Sequence, residues 1–410
     1  MSPEQRVDGS AIRETTGQPG RRNIILLGVV SFLNDFGSEM IMPILPMFVR
    51  SLGGGGLAIG LLSGLRDGVS SILQVLSGYL SDRTGKRKIF IVVGYALSAV
   101  FKLVLAASRT STQAMVFSAS ERVGKGLRSA AKDAIVADSA RAERGKGFGI
   151  VRALDTAGAV CGSASAFLLF QFLGFGFKTI IIVAAFLSLV SLVPLRFVKE
   201  PAEAVKVVAE SGRGKLPKSL MVFIIISSVF ALGNFGYMFF VIRAQDSLGG
   251  GLKVAAPILL YVLYNIFYAA FAVPLGVMSD KIGRDRVIMI GYLLFFATNA
   301  GFAMLHSLPA FLVLFALYGV AFAAVDGNQR AFISDLAGKG SRATALGVFQ
   351  TVSGSAALAA GLVAGLLWEK VNPVATFVYG ALFTMAAALL LLLQTPGHSF
   401  DCAQDGRDRG

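Results

Sequence analysis

Long apolar runs separated by short polar stretches extend along nearly the whole chain, from Asn23 to Gln394. Most runs reach roughly 20 residues, the length that an α-helix needs to cross the hydrocarbon core of a bilayer. Runs such as IILLGVVSFL do not alternate between apolar and polar residues, as the strands of a membrane β-barrel do. The pattern predicts twelve transmembrane helices, over residues 23–49, 57–80, 88–107, 112–137, 147–172, 177–195, 218–246, 253–278, 287–305, 309–335, 343–367 and 373–394.

The composition points to the same class of protein. The 410 residues are 55% hydrophobic and only 15% charged, whereas about 25% of the residues in a soluble domain are charged. We therefore predict an all-α polytopic membrane protein that lies in a lipid bilayer.

The positive charge is distributed unevenly between the two sides of the predicted bundle. A net charge of +14 can indicate a nucleic-acid partner. On one side, however, the predicted loops hold only Arg50, Arg109, Lys178, Lys253 and Lys370. The loops of the other side and the two tails are rich in Lys and Arg, and basic loops stay in the cytoplasm. We predict a protein of the cytoplasmic (inner) membrane with both tails, residues 1–22 and 395–410, in the cytoplasm, and no nucleic-acid partner.

Two interior loops of similar sequence indicate an internal repeat. GYLSDRTGKRK (78–88) aligns without a gap with GVMSDKIGRDR (276–286), and nearly the same offset aligns Asp138 with Asp335. The longest interior loop falls midway between the two copies and is polar.

The repeat predicts two six-helix halves, residues 23–195 and 218–394, joined by a cytoplasmic linker over residues 196–217. Parallel repeats of this kind are typical of secondary transporters.

The repeated loops also point to a family. Gly-x-x-x-Asp-Arg/Lys-x-Gly-Arg/Lys resembles the loop motif of the major facilitator superfamily, and RVGKG (122–126) resembles the Arg-x-x-x-Gly motif in its fourth helix. The resemblance covers residues 23–394. It implies the twelve-helix fold of that family, with a central cavity lined by helices 1, 4, 7 and 10 and opened alternately to the two sides, and it identifies no substrate.

The resemblance further implies an inner gate at the cytoplasmic helix ends. In the family, the acid of the loop motif latches the inner side closed, and the motif glycine allows close helix packing. We assign to this gate Gly78, Asp82, Arg83, Gly85, Arg87, Lys132, Asp133, Asp138, Arg152, Asp155, Asp280, Gly283, Arg330 and Asp335. Two plainer interpretations stay open: the loop bases only fix the topology, and the charge pairs only hold the N-terminal half together.

The fourth predicted span contains six charges within ERVGKGLRSAAKD (121–133). A charge at the bilayer centre costs about 2.5 to 3.5 kcal/mol on insertion scales, so such residues normally face the bundle interior and pair. At about 100° per residue, Glu121, Lys125, Arg128 and Lys132 share an arc of roughly 60°. The spacing therefore predicts one polar stripe along this helix.

Two acids of the first span lie at the same predicted depth. Asp35 and Glu39, spaced i and i+4, share one helix face. We predict that they face Arg122 and Lys125 across the central cavity and bind the transported proton. The predicted coupling residues are Asp35, Glu39, Glu121, Arg122, Lys125 and Arg128.

The second half has fewer charges in its spans, which predicts a substrate-facing wall opposite the charged half. We expect PILP (43–46) to kink the first span, Gly233 and Gly236 to break the seventh, and Gly327 to break the tenth. The predicted substrate-facing residues are Asn234, Tyr237, Tyr264, Asn265, Asp326 and Asn328. Aromatic residues at helical spacing often only pack, and that interpretation of the tyrosines stays open.

These features predict a proton-coupled secondary active transporter of an organic anion or a drug-like compound, with the direction of transport left open. The alternative substrate is a metal ion or metal chelate held by Asp35 and Glu39. The alternative from another class is a membrane sensor or assembly scaffold on the same fold. The two cysteines and two histidines lack metal-ligand spacing, and no nucleotide-binding loop occurs. We expect no cofactor, no resident metal and no enzymatic activity, and a protein that works as a monomer.

Overall fold

The computed structural model describes residues 17–139, 144–200, 216–250, 252–337 and 341–394. Most of the predicted N-terminal tail, most of the linker and the whole C-terminal tail lie outside the described residues. Every regular element in the described ranges is a helix. The helices are α1 (Gly17–Ile41), α2 (Leu45–Ser51), α3 (Gly56–Thr84), α4 (Arg87–Ala106), α5 (Ser111–Ser139), α6 (Arg144–Gln171), α7 (Phe177–Val190), α8 (Leu192–Leu195), α9 (Lys218–Gly233), α10 (Met238–Ser247), α11 (Leu252–Ile282), α12 (Arg284–Met304), α13 (Leu308–Ala337), α14 (Arg342–Lys370) and α15 (Pro373–Gln394).

Within the described residues, eleven spans are long and apolar enough to cross a membrane. The predicted span missing from that set is α5, which contains the charges of ERVGKGLRSAAKD yet is 29 residues long. At 1.5 Å per residue it extends about 43 Å, more than the roughly 30 Å of hydrocarbon core. The predicted all-α polytopic class is confirmed, and the twelve predicted spans agree with these eleven together with α5.

Proline interrupts the first span near one face of the bundle. α1 ends at Ile41, residues 42–44 form a turn, and α2 begins at Leu45. Pro43 and Pro46 cannot donate backbone hydrogen bonds, so the helical ladder is lost at this point. The kink expected at PILP is therefore a complete break.

Glycine interrupts the seventh span but not the tenth. Between α9 and α10, Gly236 has a φ of 87°, a conformation that favours glycine. The expected break at Gly233 and Gly236 is thus confirmed. Gly327, in contrast, lies inside the continuous α13, so the expected break there is wrong. A single glycine weakens a helix by only about 1 kcal/mol, and α13 continues through it.

The helices pack in the same pairs in the N-terminal half, which here means the described residues up to 200, and in the C-terminal half, from 216 onwards. α5 packs on α3 and α4, and α13 packs on α11 and α12 in the same way. We call the face where α3 and α13 end the inner face, because the basic loops predict that it is cytoplasmic. The opposite face is the outer face.

The two halves meet toward the outer face. There, a Cβ atom on Gly60 of α3 would lie only 2.1 Å from the carbonyl oxygen of Gly361 of α14. Arg50 pairs with Asp246, and Glu369 accepts a hydrogen bond of 3.0 Å from the first turn of α3. All hydrogen bonds between the halves that involve described residues lie from mid-membrane to the outer face. The space between the halves therefore opens toward the inner face.

Candidate functional site

A cavity of about 660 Å³ lies between the two halves and reaches from mid-membrane toward the inner face. Its walls come from α1, α3, α4, α5 and α6 and, on the other side, from α9, α10, α11, α13 and α14. At its outer end, the Tyr237 hydroxyl donates a hydrogen bond of 3.0 Å to the Met42 carbonyl. At its inner end lie Phe148 and Arg330. The volume is within the roughly 300–1,000 Å³ of typical small-molecule sites.

Acids and bases line this cavity in nearly equal number. The acids are Asp35, Glu39, Asp67, Asp133, Asp155 and Asp326. The bases are Arg66, Arg122, Lys125, Arg128, Lys132, Arg152 and Arg330. Because the total charge is close to zero, the pairing of the individual groups decides which solutes the cavity favours.

The polar stripe of α5 faces the cavity in a different rotation from the one expected. The α5 residues that line the cavity are Arg122, Lys125, Arg128, Ser129, Lys132 and Asp133. Glu121 is only 3% exposed and accepts a hydrogen bond of 2.7 Å from Ser98 of α4. The assignment of Glu121 to the cavity is therefore wrong. A helical wheel shows that a stripe is polar, but it does not show which neighbour each part of the stripe meets.

Glu121 instead lies behind the cavity wall and pairs there with two arginines that line the cavity. Its carboxylate lies 3.5 Å from Nη2 of Arg66 and 3.5 Å from Nε of Arg122. Arg66 also donates a hydrogen bond to the Ser118 hydroxyl. The acid that pairs with Arg122 is therefore Glu121, the preceding residue of α5, and not an acid on another helix.

The remaining bases of α5 differ in their partners. Lys132 lies 3.4 Å from Asp155 and donates a hydrogen bond of 2.8 Å to the Ser31 hydroxyl. Lys125 and Arg128 have no carboxylate of the described residues within 4.0 Å. The Lys125 side chain is exposed to the cavity, so positive charge stays unneutralised at this level of α5.

Asp35 and Glu39 lie on the α1 wall of the same cavity as Arg122 and Lys125. Neither acid forms an ion pair with any residue that the structure describes. Glu39 accepts a hydrogen bond of 2.9 Å from the Tyr261 hydroxyl, which belongs to the C-terminal half. Two carboxylates that form no ion pair thus line the same cavity as Lys125 and Arg128, the two bases of α5 without a carboxylate partner among the described residues.

Most of the residues predicted to face the substrate lie on the opposite wall. Those that line the cavity are Asn234, Tyr237, Tyr264, Asn265 and Asp326. Asn328 does not: it accepts a hydrogen bond of 2.8 Å from Ser279 and donates one of 2.9 Å to the Ala324 carbonyl. The assignment of Asn328 is wrong because two residues rotate a helix by about 200°, which turns Asn328 from the cavity toward α11.

Tyrosine rings form a continuous part of this wall. Ring centroids are 4.9 Å apart between Tyr237 and Tyr261 and 5.6 Å apart between Tyr261 and Tyr264. Tyr264 also stacks on Tyr318 at 4.6 Å. The rings pack against one another and line the cavity at the same time, so both interpretations of the tyrosines agree with the geometry.

The predicted gate residues within the spans lie along the inner part of the cavity. They are Lys132, Asp133, Arg152, Asp155 and Arg330. Arg330 pairs with Asp326 one turn earlier on α13 at 2.8 Å. Asp133, Arg152 and Arg330 are exposed in this inward-open arrangement.

The gate residues of the loops form one matching ion pair in each half. Arg87 pairs with Asp138, and Arg284 pairs with Asp335 at 2.6 Å, each across 51 positions of sequence. Asp280 lies 3.0 Å from Arg284. The pairs tie the inner ends of α4 and α5, and those of α12 and α13, to each other.

The other loop residues shape the turns. Gly85 and Gly283 have φ of 68° and 105°, which lets the chain turn sharply after α3 and α11. Gly78 lies close to α5, where a Cβ atom would be 3.3 Å from a side chain. Arg83 is exposed. The side chain of Asp82 lies outside the described part of the chain, so its assigned latch stays a prediction.

The sequence model of the Major Facilitator Superfamily matches residues 27–262 and 223–401 of this chain. The chain belongs to the major facilitator superfamily. It is 50% identical over 376 residues to an uncharacterized MFS-type transporter of Methanocaldococcus jannaschii, covering 90% of this chain and 94% of that one. It is 25% identical over 329 residues to the multidrug resistance protein MdtH of Aeromonas hydrophila, covering 78% and 81%. A mutant of the nucleoside transporter NupG has the same fold, with a TM-score of 0.77, 16% identity and coverage of 90% and 99%.

Arg66, Asp67 and Tyr261 also line the cavity, although they are not among the predicted coupling or substrate-facing residues. Arg66 and Asp67 are adjacent charges on α3, and Tyr261 lies one turn before Tyr264 on α11. The charge of the first two within an apolar span was a usable signal. Nothing in the sequence marked Tyr261 as the partner of Glu39, because that contact joins residues 222 positions apart.

A buried lysine lies behind the α1 wall. Lys102 of α4 is 1% exposed, and its ammonium donates hydrogen bonds of 2.8 Å to Ser38 and 2.6 Å to Ser188. Ser38 precedes Glu39, so this lysine braces the part of α1 that presents the acid to the cavity. Its sequence signal was its position inside an apolar span.

Proposed function

We propose that this superfamily member is a secondary active transporter that moves an organic anion or an anionic drug-like compound by alternating access, coupled to protons. The observation that supports this most is the arrangement within one cavity, where Asp35 and Glu39 lie opposite the unneutralised bases of α5. An acid that can exchange a basic partner for a proton is suited to coupling.

Alternating access needs a second arrangement in which the outer ends separate and the inner ends meet. The charges along the inner part of the cavity favour such a meeting. Asp133 and Arg152 belong to the N-terminal half, and they interact electrostatically with Arg330 and Asp326 of the other half. We propose that closure pairs Asp133 with Arg330 and Arg152 with Asp326, while the outer contacts open.

The loop pairs complete the proposed inner gate. Arg87 with Asp138 and Arg284 with Asp335 hold each pair of helix ends as a unit, so that each half moves as a rigid body. In the superfamily the loop acid latches the closed inner side, and we propose that role for Asp82 and Asp280.

Proton coupling is supported by the contact between Glu39 and Tyr261. This hydrogen bond of 2.9 Å joins the two halves, so it must change when they rock. A carboxylate whose partners change with conformation also changes its proton affinity between the two states. We propose that Asp35 and Glu39 bind the proton in one state and release it in the other.

The anion is favoured over a metal ion by the local charge. Asp35 and Glu39 would hold a cation, but they lie opposite Arg122 and Lys125 in the same cavity. In the described residues, no group of three or more His, Cys, Asp or Glu is placed to hold a metal ion. A sensor or scaffold, the other alternative, has no need of unpaired charges around a cavity between two halves.

We further propose that the transporter works as a monomer with both termini in the cytoplasm.

A thermal-shift screen of the purified protein distinguishes these alternatives. The probes are 2-naphthalenesulfonate, a naphthyl quaternary ammonium cation and divalent metal ions. We expect the anion alone to stabilise the fold, by about 2.7 kcal/mol at a hundred times its dissociation constant. Lys125→Gln should reduce this stabilisation to about half or less at the same probe concentration, and the surface control Lys178→Gln should keep it. Stabilisation by metal ions alone would support the metal alternative, and stabilisation by none of the probes would support the scaffold.

A further inference from the structure

The four bases of α5 that line the cavity differ in their partners. Two of them have a carboxylate partner: Lys132 pairs with Asp155, and Arg122 shares the carboxylate of Glu121 with Arg66. The other two, Lys125 and Arg128, lie between them, one turn apart, and have no carboxylate partner among the described residues. Their positive charge is therefore concentrated at one level of the cavity wall.

Arg128 is built into this wall. It is 5% exposed, and its guanidinium lies 4.5 Å above the ring of Tyr95. The Tyr95 hydroxyl contacts Ser31 at 3.3 Å, and Ser31 in turn accepts a hydrogen bond from Lys132. Arg128 forms no hydrogen bond with any described residue, and its Nη1 is buried without a partner.

A buried guanidinium with unused donors matches an oxyanion. The planar fork of arginine binds two oxygens of a carboxylate, sulfonate or phosphate group, and a nearby ammonium adds a point charge. Across the cavity, the ring of Tyr264 stacks on that of Tyr318 and lies tilted against that of Tyr261. An aromatic anion would place its oxyanion group against Lys125 and Arg128 on one wall and its flat ring against the tyrosines on the opposite wall.

The acids of α1 compete with such an anion for the same positive charge. The charged and titratable groups that line the cavity with Lys125 are Asp35 and Glu39 of α1, Arg66 and Asp67 of α3, Tyr95 of α4, Arg122, Arg128, Lys132 and Asp133 of α5, Arg152 and Asp155 of α6, and Tyr237, Tyr261, Tyr264, Tyr268, Tyr318, Asp326 and Arg330 of the C-terminal half. The buried ammonium of Lys102 lies behind α1, on Ser38. Of the acids, Asp35 and Glu39 interact most strongly with Lys125. When ionised they repel an incoming anion, and a proton from the bulk removes that repulsion.

We infer that Lys125 and Arg128 form a subsite for the oxyanion of an aromatic organic anion, and that this anion and a proton on Asp35 or Glu39 occupy the cavity together. The inference rests on the proposed function. It adds the chemical class of the substrate and the direction in which the proton moves relative to the substrate. Because proton binding raises anion affinity, anion binding raises proton affinity by the same factor. The two are then transported in the same direction, as cotransport rather than exchange.

Calorimetry with 2-naphthalenesulfonate tests this directly, since the probe stays anionic and cannot take up the proton itself. Titration of the full-length protein in two buffers of different ionisation enthalpy should show proton uptake on binding. Affinity should fall by up to about tenfold per unit rise in pH. Neutral 2-naphthalenesulfonamide should bind without proton uptake and at least about fivefold more weakly, the lower end of typical couplings.

Substitutions test which residues bind the anion and which residues take up the proton. Lys125→Gln and Arg128→Gln should each weaken anion binding by about tenfold or more, as expected for losing one charge-assisted contact, whereas Lys178→Gln should leave it unchanged. The double variant Asp35→Asn, Glu39→Gln should bind the anion with an affinity that no longer depends on pH. Retained binding in that variant shows that it is folded.

Three outcomes would overturn the inference: proton release on anion binding, equal affinity for the neutral sulfonamide, or no binding of the sulfonate. These are separate from failure of the proposed function. Transport of the anion in exchange for protons would keep the function and overturn the inference. Binding with proton uptake but without flux in vesicles would keep the subsite and overturn the function.

Discussion

The double variant Asp35→Asn, Glu39→Gln is expected to abolish the solute accumulation that an imposed pH gradient drives, while solute exchange at equal pH continues. A neutral amide resembles the protonated acid, so the cavity can still bind an anion opposite Lys125, but no proton can leave. One pH unit supplies about 1.4 kcal/mol per proton, enough for roughly tenfold accumulation. The double variant should lose this tenfold accumulation completely.

The measurement is uptake of radiolabelled 2-naphthalenesulfonate into proteoliposomes, with and without a pH step and with a protonophore as reference. Asp285→Asn is the matched control, because Asp285 lies in the first turn of α12 and does not line the cavity. It should retain the accumulation of the unmodified protein. Full gradient-driven accumulation in the double variant would show that neither acid takes part in proton coupling.

Glu121→Ala is expected to lower the free energy of unfolding by about 3–5 kcal/mol, the usual cost of breaking a buried ion pair. Glu121 is 3% exposed, and its single carboxylate pairs with both Arg66 and Arg122, which are 4% and 5% exposed. Removing it leaves two guanidinium groups buried without a counter-charge. It also leaves the Ser98 hydroxyl without its acceptor.

The readout is unfolding of the purified protein in detergent, monitored by intrinsic fluorescence. Glu200→Ala serves as control, since Glu200 is exposed and accepts a hydrogen bond from the Lys88 backbone. It should change stability by about 0.5 kcal/mol or less. Adding Arg66→Met to Glu121→Ala should restore part of the loss. If Glu121→Ala behaved like the surface control, the buried cluster would not be a stabilising centre.

The hydropathy pattern was sufficient to predict most of the transmembrane helices, because the bilayer requires each span to be a long apolar helix. α5 shows the limit of composition, since its charges exclude it from the apolar spans and only its place between two loops identifies it. Proline was a reliable signal of a break at PILP because the missing N–H is lost in any surroundings. Gly327 was not, because glycine permits a break without requiring one.

The site could be predicted as a set of polar positions but not as a set of contacts. Asp35, Glu39, Arg122 and Lys125 were found because charge in a span is rare and faces the bundle interior. Glu121 and Asn328 were placed on the wrong side because periodicity gives the angle between residues and not the identity of the neighbouring helix. The contact of Glu39 with Tyr261 depends on how the two halves pack, which neither local sequence contains.

The most direct test of alternating access measures distances across both faces in one sample. After replacement of Cys161 and Cys402, spin labels are placed at Arg109 and Leu305 for the outer face, and at Thr84 and Ile282 for the inner face. Adding acid together with 2-naphthalenesulfonate should lengthen the outer distance and shorten the inner one, starting from the inward-open arrangement. Distances that stay unchanged on both faces, or that lengthen on both together, would contradict a transporter that exposes one cavity to each side in turn.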